Sequence, residues 1–383
     1  MPLICYLFYL NLTKLNIVGE RLKVLFTIPN FDTAGSGRVV HDLIIGLDKT
    51  KFEPEVCCFH DRGAYFKTIE QLGIPIHIFQ FTTSYRPQLT FLFRVLKIRA
   101  FFKKHRFNII HSWHWSSDIS EPLAAKLAGI PFIYTKKAMG WTSRFWKWRS
   151  VLSTRIVTIN DDMVSEYFST MQQKIERISL GVDTNMFNPS LDFEIKRNDL
   201  QMDSTDFVII TVANLVAVKG IEILIQAVNA IQQDHIKLLI VGDHGASYGT
   251  WLKDTYETES IKFIGKQMDV RPYLALADVF VIPTKNEGRR EGLPIALLEA
   301  MAMGKIAIGS NISGIKDILQ PFPEQLFEAG SVENLESKLM RILALNNHEK
   351  LQLSKQTSKY IQDHFNVVDF IVKHEALYFR LLK

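Results

Sequence analysis

Short apolar runs alternate with stretches of helical periodicity along nearly the whole chain. In the first half the runs fall at 22–28, 54–59, 75–79, 108–111, 131–135 and 155–159. In the second half they fall at 206–212, 236–241, 261–264, 278–282, 305–309 and 325–327. Runs this short, separated by helical patterns, predict buried strands of parallel sheets with helices on their faces. A polar stretch, roughly 188–204, separates the halves and predicts a linker. The fold class is therefore α/β, with one doubly wound domain in each half. Such sheets bind ligands beyond the carboxyl ends of their strands, so two facing each other would enclose a deep cleft. Solenoid-period repeats and low-complexity tracts are absent. The last stretch, about 352–383, predicts amphipathic helix.

At 383 residues and 47% hydrophobic content the chain is long enough for two ordinary cores. Three cysteines, with Cys57 and Cys58 adjacent, give neither a disulfide framework nor metal-ligand spacing, and point to a reducing compartment. Met1 to Leu12 is apolar but too short to span a bilayer, and it lacks the basic flank and cleavage site of a signal peptide. Residues 1–20 are expected to be an extension, either an upstream start or a membrane-touching tag.

The net charge of +5 is uneven. Residues 1–195 hold 24 Lys and Arg against 17 Asp and Glu, a net of +7; residues 196–383 hold 21 against 23, a net of −2. Much of the excess lies in 86–155, with 14 basic residues against Asp118 and Glu121. There the segment from Arg86 to Arg106 interleaves Phe, Leu and Ile with Arg and Lys. Trp141, Trp146 and Trp148, with Arg144, Lys147 and Arg149, continue the theme. This suits an anionic membrane surface, and equally a core-packed helix with a charged outer face. No recognition module accompanies it that would point to nucleic acid.

The most informative chemistry lies between Glu291 and Gly304. Glu291 and Glu299 stand eight apart, separated by Gly292, Leu293, Pro294 and an apolar run. Proline suits the first helical position, so Glu291 should precede a helix and Glu299 should lie on its second turn. Unpaired N–H groups at that helix start form an anion site, and the two carboxylates can accept hydroxyls. That is a cradle for a sugar joined to a diphosphate and a ribose; two solvated glutamates on a surface helix are the plainer reading. Lys219-Gly220 follows Asn214 at a strand-to-helix loop, where a lysine can neutralise phosphate. Gly35-Ser36-Gly37-Arg38 opens a helix after the first strand, but Val40 replaces the third glycine of a dinucleotide fingerprint. His111 and His114 have no evident third ligand, and no Asp-x-Asp pair exists, so no metal site is expected. His111 reads either as a polar group lining the cleft or as an ordinary strand-end histidine.

These motifs in this order resemble retaining glycosyltransferases of family 4, which have the GT-B fold. The resemblance covers about 22–380. It rests on Glu291-Gly292-Leu293-Pro294, Glu299 to Gly304, Lys219-Gly220, Val241-Gly242-Asp243, Phe263-Ile264-Gly265, Ala277 to Pro283, Gly314, and Gly181-Val182-Asp183 with Phe187 and Pro189. It implies two Rossmann-like domains facing across a cleft: 21–190 on the acceptor side, 191–365 for the nucleotide-sugar, and a helix over 366–383 crossing back. By position, Lys219 would bind the donor diphosphate, while Glu291 with the Gly292 and Leu293 backbone would hold the donor sugar. Glu299 would accept from the ribose, and Gly265 and Lys266 would meet the base. Gly35 and Gly37 would border the phosphate and acceptor side.

Three positions depart from the family pattern. Asn214 stands where arginine is usual, Lys137 where histidine is usual near the donor sugar, and Asn160 where serine is common. Arg38, Lys136 or Lys137 are the candidates to replace the lost arginine. The implied activity is metal-independent transfer of a sugar, with retention, from a nucleotide-sugar to a glycan or lipid-linked acceptor in cell-surface polysaccharide or lipopolysaccharide synthesis. No cofactor is expected. Location in the cytoplasm, peripheral on the inner face of the membrane, follows. A nucleotide-sugar epimerase, a glycan phosphorylase and a non-catalytic sugar- or nucleic-acid-binding protein are the alternatives.

Overall fold

In the computed structural model, residues 21–382 are described except 33, 141, 142, 196 and 289. The expected extension 1–20, and Trp141, lie outside the described residues. The first half carries β1 (Leu22–Thr27), α1 (Ala34–Gly46), β2 (Phe52–Cys58), α2 (Phe66–Glu70), β3 (Ile76–Ile78), α3 (Phe91–His105) and β4 (Ile109–Ser112). There follow α4 (Ser120–Ala128), β5 (Phe132–Lys136), α5 (Phe145–Leu152), β6 (Arg155–Thr158), α6 (Asp161–Tyr167) and β7 (Ile175–Arg177). The second half carries β8 (Phe207–Val212), α7 (Ile221–Ile231), β9 (Ile236–Val241), α8 (Ser247–Tyr256), β10 (Ile261–Gly265), α9 (Arg271–Leu276) and β11 (Val279–Ile282). It ends with α10 (Ile295–Ala302), β12 (Ile306–Ser310), α11 (Ile315–Ile318), β13 (Leu326–Phe327), α12 (Val332–Ala344), α13 (Asn347–His364) and α14 (Val367–Leu381).

The strands form two parallel sheets. Their orders are β3-β2-β1-β4-β5-β6-β7 and β10-β9-β8-β11-β12-β13. Both reverse direction beside their first strand, between β1 and β4 and between β8 and β11, and the carboxyl ends there open toward the cleft. Helices cover both faces, so central strands are apolar throughout instead of alternating; Ile209, Ile210, Leu238, Leu239, Ile240, Phe280 and Val281 are fully buried. The twelve apolar runs each became a strand. The thirteenth strand, β7, was not foreseen, because Ile175-Glu176-Arg177 is a half-buried edge with no apolar run.

Three details refine the expected elements. Pro294 is the N-cap of α10 and not its first helical residue. The polar stretch 188–204 includes a short turn of helix, Arg197–Leu200, and Arg197 ties it down by donating to the Leu276 carbonyl (3.2 Å) and to Asp278 (3.4 Å). The C-terminal stretch is two helices, divided where the Asn366 side chain caps α14 by accepting from Val368 N–H (2.8 Å). α13 packs on α10 in the second half, whereas α14 lies on α1 in the first. Glu375 accepts from Asp48 N–H (2.7 Å), and Tyr378 is buried against Phe52. Among the described residues, no helix is long and apolar enough to cross a membrane.

Candidate functional site

On the second half, β8 runs into a loop carrying Asn214, which is exposed, and then a single helical turn ending at Lys219. Gly220 reverses the chain into α7 with φ +64°; a Cβ there would stand 2.3 Å from the Pro283 carbonyl, so only glycine fits. That turn aims the Lys219 ammonium at Glu291, and the two are ion-paired. Glu291 also accepts from Thr284 Oγ1 (3.2 Å). Thr284 is a member of the site that sequence reasoning missed; its position seven residues before Glu291, two residues past β11, was the available signal.

At Gly292 the two halves come close together. A Cβ on it would lie 2.1 Å from the Lys137 carbonyl oxygen. The Asn160 side-chain amide donates to the Gly292 carbonyl, while its Oδ1 caps α6 through Met163 N–H (2.9 Å). Leu293 is buried. α10 then begins with no side-chain cap, leaving its first N–H groups open to a ligand. Glu299 lies on its second turn and is 7% exposed. Burial pushes its carboxyl up to about 7, against the pull of Arg38.

From the first half, Arg38 on α1 places Nη1 3.7 Å from Glu299 Oε1 and lies over the Phe187 ring (4.8 Å). Lys137 donates to Ser36 Oγ (3.0 Å) between Gly35 and Gly37. Gly35 breaks the helical path of α1 (φ −10°, ψ −106°), and Gly37 packs α1 against Phe31 and Tyr65. Lys266, exposed after Gly265 at the end of β10, reaches across to the Asp32 carbonyl (3.1 Å). The structure thus brings together Lys219, Glu291, Gly292, Leu293, Glu299, Gly35, Gly37, Arg38, Lys137, Gly265 and Lys266 along the facing ends of the two sheets.

Two expectations are corrected. His111 does not line the cleft. It is fully buried on β4, with Nδ1 2.7 Å from the Tyr378 hydroxyl and Nε2 2.8 Å from Thr135 Oγ1. Burial holds it well below the ordinary imidazole value, so the neutral ring ties α14 to β4 and β5. Lys136 is not a replacement for the missing arginine. Its ammonium is buried and donates to the Ala138 and Gly140 carbonyls, each at 3.0 Å, shaping the loop that presents Lys137. Of the three candidates, Arg38 meets the second half through its guanidinium, while Lys137 approaches it through its backbone carbonyl at Gly292.

The lone acids of the basic stretch are also structural. Glu121 and Arg149 form a fully buried pair (2.9 Å), with Glu121 also accepting from Thr27 (2.5 Å) and Ser112 (2.9 Å). Arg149 donates in addition to the Asp118 carbonyl (2.8 Å). Composition flagged Asp118 and Glu121 only as isolated charges.

Comparison with known proteins adds to this geometry. Residues 33–186 match the model described as Glycosyltransferase Family 4, and residues 192–363 match Glycosyl transferases group 1. A UDP-Gal:alpha-D-GlcNAc-diphosphoundecaprenol alpha-1,3-galactosyltransferase of Escherichia coli is 25% identical over 312 residues, 74% of this chain and 78% of that protein. An N,N'-diacetylbacillosaminyl-diphospho-undecaprenol alpha-1,3-N-acetylgalactosaminyltransferase of Campylobacter jejuni is 20% identical, over 78% of this chain and 84% of that protein. A glycosyltransferase of Rickettsia africae superposes with TM-score 0.81 at 17% identity, covering 95% of this chain and all of that one. HepE of Anabaena, solved in complex with UDP, superposes with TM-score 0.77 at 18% identity, covering 94% and 100%.

Proposed function

The chain belongs to glycosyltransferase family 4, with the GT-B fold, and from that premise we propose that it moves a sugar from a nucleotide-sugar to a lipid-linked or glycan acceptor, with retention and without a metal. That it is a glycosyltransferase is given by its relatives. The finer reading is carried by one arrangement: the Lys219–Glu291 pair stands just before an uncapped helix start, with Glu299 buried one turn further in and Arg38 opposite.

The pair suggests a change of partners. Without donor, Lys219 and Glu291 neutralise each other. A bound diphosphate would take Lys219 and the start of α10, freeing Glu291 to accept from the sugar. As the sugar–phosphate bond breaks, negative charge grows on the diphosphate, where fixed cations and N–H dipoles stabilise it. Arg38 and Lys137 would supply the charge that Asn214 lacks, and Glu299 would accept from the ribose hydroxyls. Gly265 and Lys266 would border the base, Gly292 and Leu293 the sugar, and Gly35 and Gly37 the acceptor side. Residues 21–190 would receive the acceptor, and 191–365 the donor.

A polyprenyl-diphosphate-linked acceptor fits both the names of the relatives and the outer face of α3. That helix buries Val95, Ile98 and Phe102 but exposes Leu92, Phe93 and Leu96, with Leu89 just before it. Lys97, Lys103 and Lys104 continue the stripe at helical spacing and are exposed. The outer face is therefore apolar at one end and basic at the other, which favours peripheral attachment to an anionic inner membrane leaflet.

The test is sugar transfer from a panel of UDP-, GDP- and ADP-sugars to a polyprenyl-diphosphate-linked saccharide, in excess EDTA, with the anomer of the product read by NMR. Transfer with retention is expected. Loss on chelation restored by Mg²⁺ or Mn²⁺ would sink the metal-free reading, and an inverted product would sink retention.

A further inference from the structure

At the outer edge of the first sheet, away from the cleft, two imidazoles and a carboxylate meet. We propose that Glu55, His77 and His105 form a site for one divalent transition-metal ion of the zinc type, fastening β3 and the end of α3 to β2.

The three residues come from three elements. Glu55 is on β2, His77 is on β3, and His105 closes α3. The register pairs Cys57 with His77, so Glu55 and His77 project from the same face of the sheet, the face that α3 covers. One possible ligand atom from each lies within 4.8 Å of the others, the one such grouping found among the described residues. Glu55 Oε2 is 2.6 Å from His77 Nε2, and the His77 and His105 rings are 4.4 Å apart. The His105 ring packs on Phe101 and Phe107 and has no hydrogen bond among the described residues.

The local charges leave room for a cation. Lys23 holds the other oxygen of Glu55, Oε1, at 3.1 Å, and shares itself with Glu53 at 3.7 Å, so a metal would take Oε2 in place of its present contact with His77 Nε2. Two imidazoles and one carboxylate, without sulfur, suit Zn²⁺ and its neighbours; Mg²⁺ and Ca²⁺ prefer oxygen ligands. Metal–ligand distances of about 2.0–2.2 Å put neighbouring tetrahedral ligands roughly 3.3–3.5 Å apart. The Glu55–His77 contact therefore has to open slightly and His105 has to swing in, with water in the fourth position. Both histidines are only partly buried, which allows that adjustment.

Such an ion would act on the sheet edge and not on sugar transfer. β3 is a three-residue strand, and a bridge to α3 would stabilise what the backbone ladder holds weakly. The site is independent of the proposed reaction, so the two stand or fall separately.

The experiment uses the untagged, metal-stripped full chain with Zn²⁺ alone at submillimolar concentration, read by equilibrium dialysis and thermal melting. Co²⁺ absorption reports the ligand geometry. One ion per chain and a raised Tm are expected. His77→Ala and the milder His105→Gln should each weaken binding by about tenfold or more, while His348→Ala, at an exposed position on α13, should not. Circular dichroism confirms that the variants fold. Zn²⁺ binding that persists unchanged in the His77/His105 double variant, or no binding by the wild-type chain, would overturn the proposal and leave a hydrogen-bonded Glu55–His77–Lys23 cluster.

Discussion

The two halves share a strand order but use their charged residues differently. In the second half, Lys219, Glu291 and Glu299 sit on loops and a helix at the cleft, and their ion-pair partners are either one another or Arg38 from across it. In the first half, Glu121, Arg149 and Lys136 are sealed inside, each hydrogen-bonded within its own half, with Arg149 Nε alone of the guanidinium nitrogens left without a partner among the described residues. His111 is sealed in the same way, except that Tyr378 of the C-terminal helix supplies one of its partners. The second half thus keeps its charge at the cleft, where a ligand can compete for it, and the first half spends much of its charge on holding a shape. A basic stretch is therefore a poor guide to a binding surface until burial is known: two of the fourteen basic residues in 86–155, Lys136 and Arg149, are fully buried.

The largest expected effect tests the structural side of that contrast. Arg149→Met should destabilise the fold by about 3–5 kcal/mol, because it leaves Glu121 buried without its cation. The Glu121→Leu/Arg149→Met double variant should recover much of the loss. Chemical denaturation of the single and double variants measures this; equal stability of wild type and Arg149→Met would mean the buried pair is not what holds these strand ends.

Lys219→Ala should do the opposite, leaving the denaturation midpoint near wild type and lowering turnover by about 10²–10³-fold. If Lys219→Ala instead costs stability and spares turnover, the division between the halves fails at its central residue.

Glu299 gives an effect of about tenfold. Its folded pKa of about 7 exceeds the ordinary 4.5 because of burial, opposed by Arg38. Its contribution to stability is thus present below about pH 4.5 and lost as pH rises through 7. In the proposed ribose role Glu299 accepts best as the ionised carboxylate, so the sign for ligand is reversed: affinity for the nucleoside diphosphate of whichever donor the panel identifies should rise about tenfold between roughly pH 6 and 8. Calorimetric titration across that range reads it. Glu299→Gln should flatten the profile, and a wild-type profile already flat would remove the ribose role.

The smallest effects belong to α3. Single neutralisations such as Lys103→Gln should each weaken sedimentation with anionic vesicles by about 1 kcal/mol, less at high salt. Binding of the donor nucleotide should be unchanged. Equal sedimentation with neutral vesicles would leave the exposed apolar-basic stripe without a membrane role.

By itself the sequence determined the two parallel sheets and the loop-and-helix segment 291–304. Strands buried on both faces must be apolar along their length, and residues 291–304 form one continuous loop and helix whose register is local. Tertiary structure decided which cations face the cleft. Arg38 meets Glu299 from the opposite half, Lys136 turns back onto its own loop, and His111 disappears beneath Tyr378, 267 residues further along the chain. The grouping of Glu55, His77 and His105 was invisible for the same reason. Their convergence depends on strand order and helix packing, and no local periodicity records which distant elements will become neighbours.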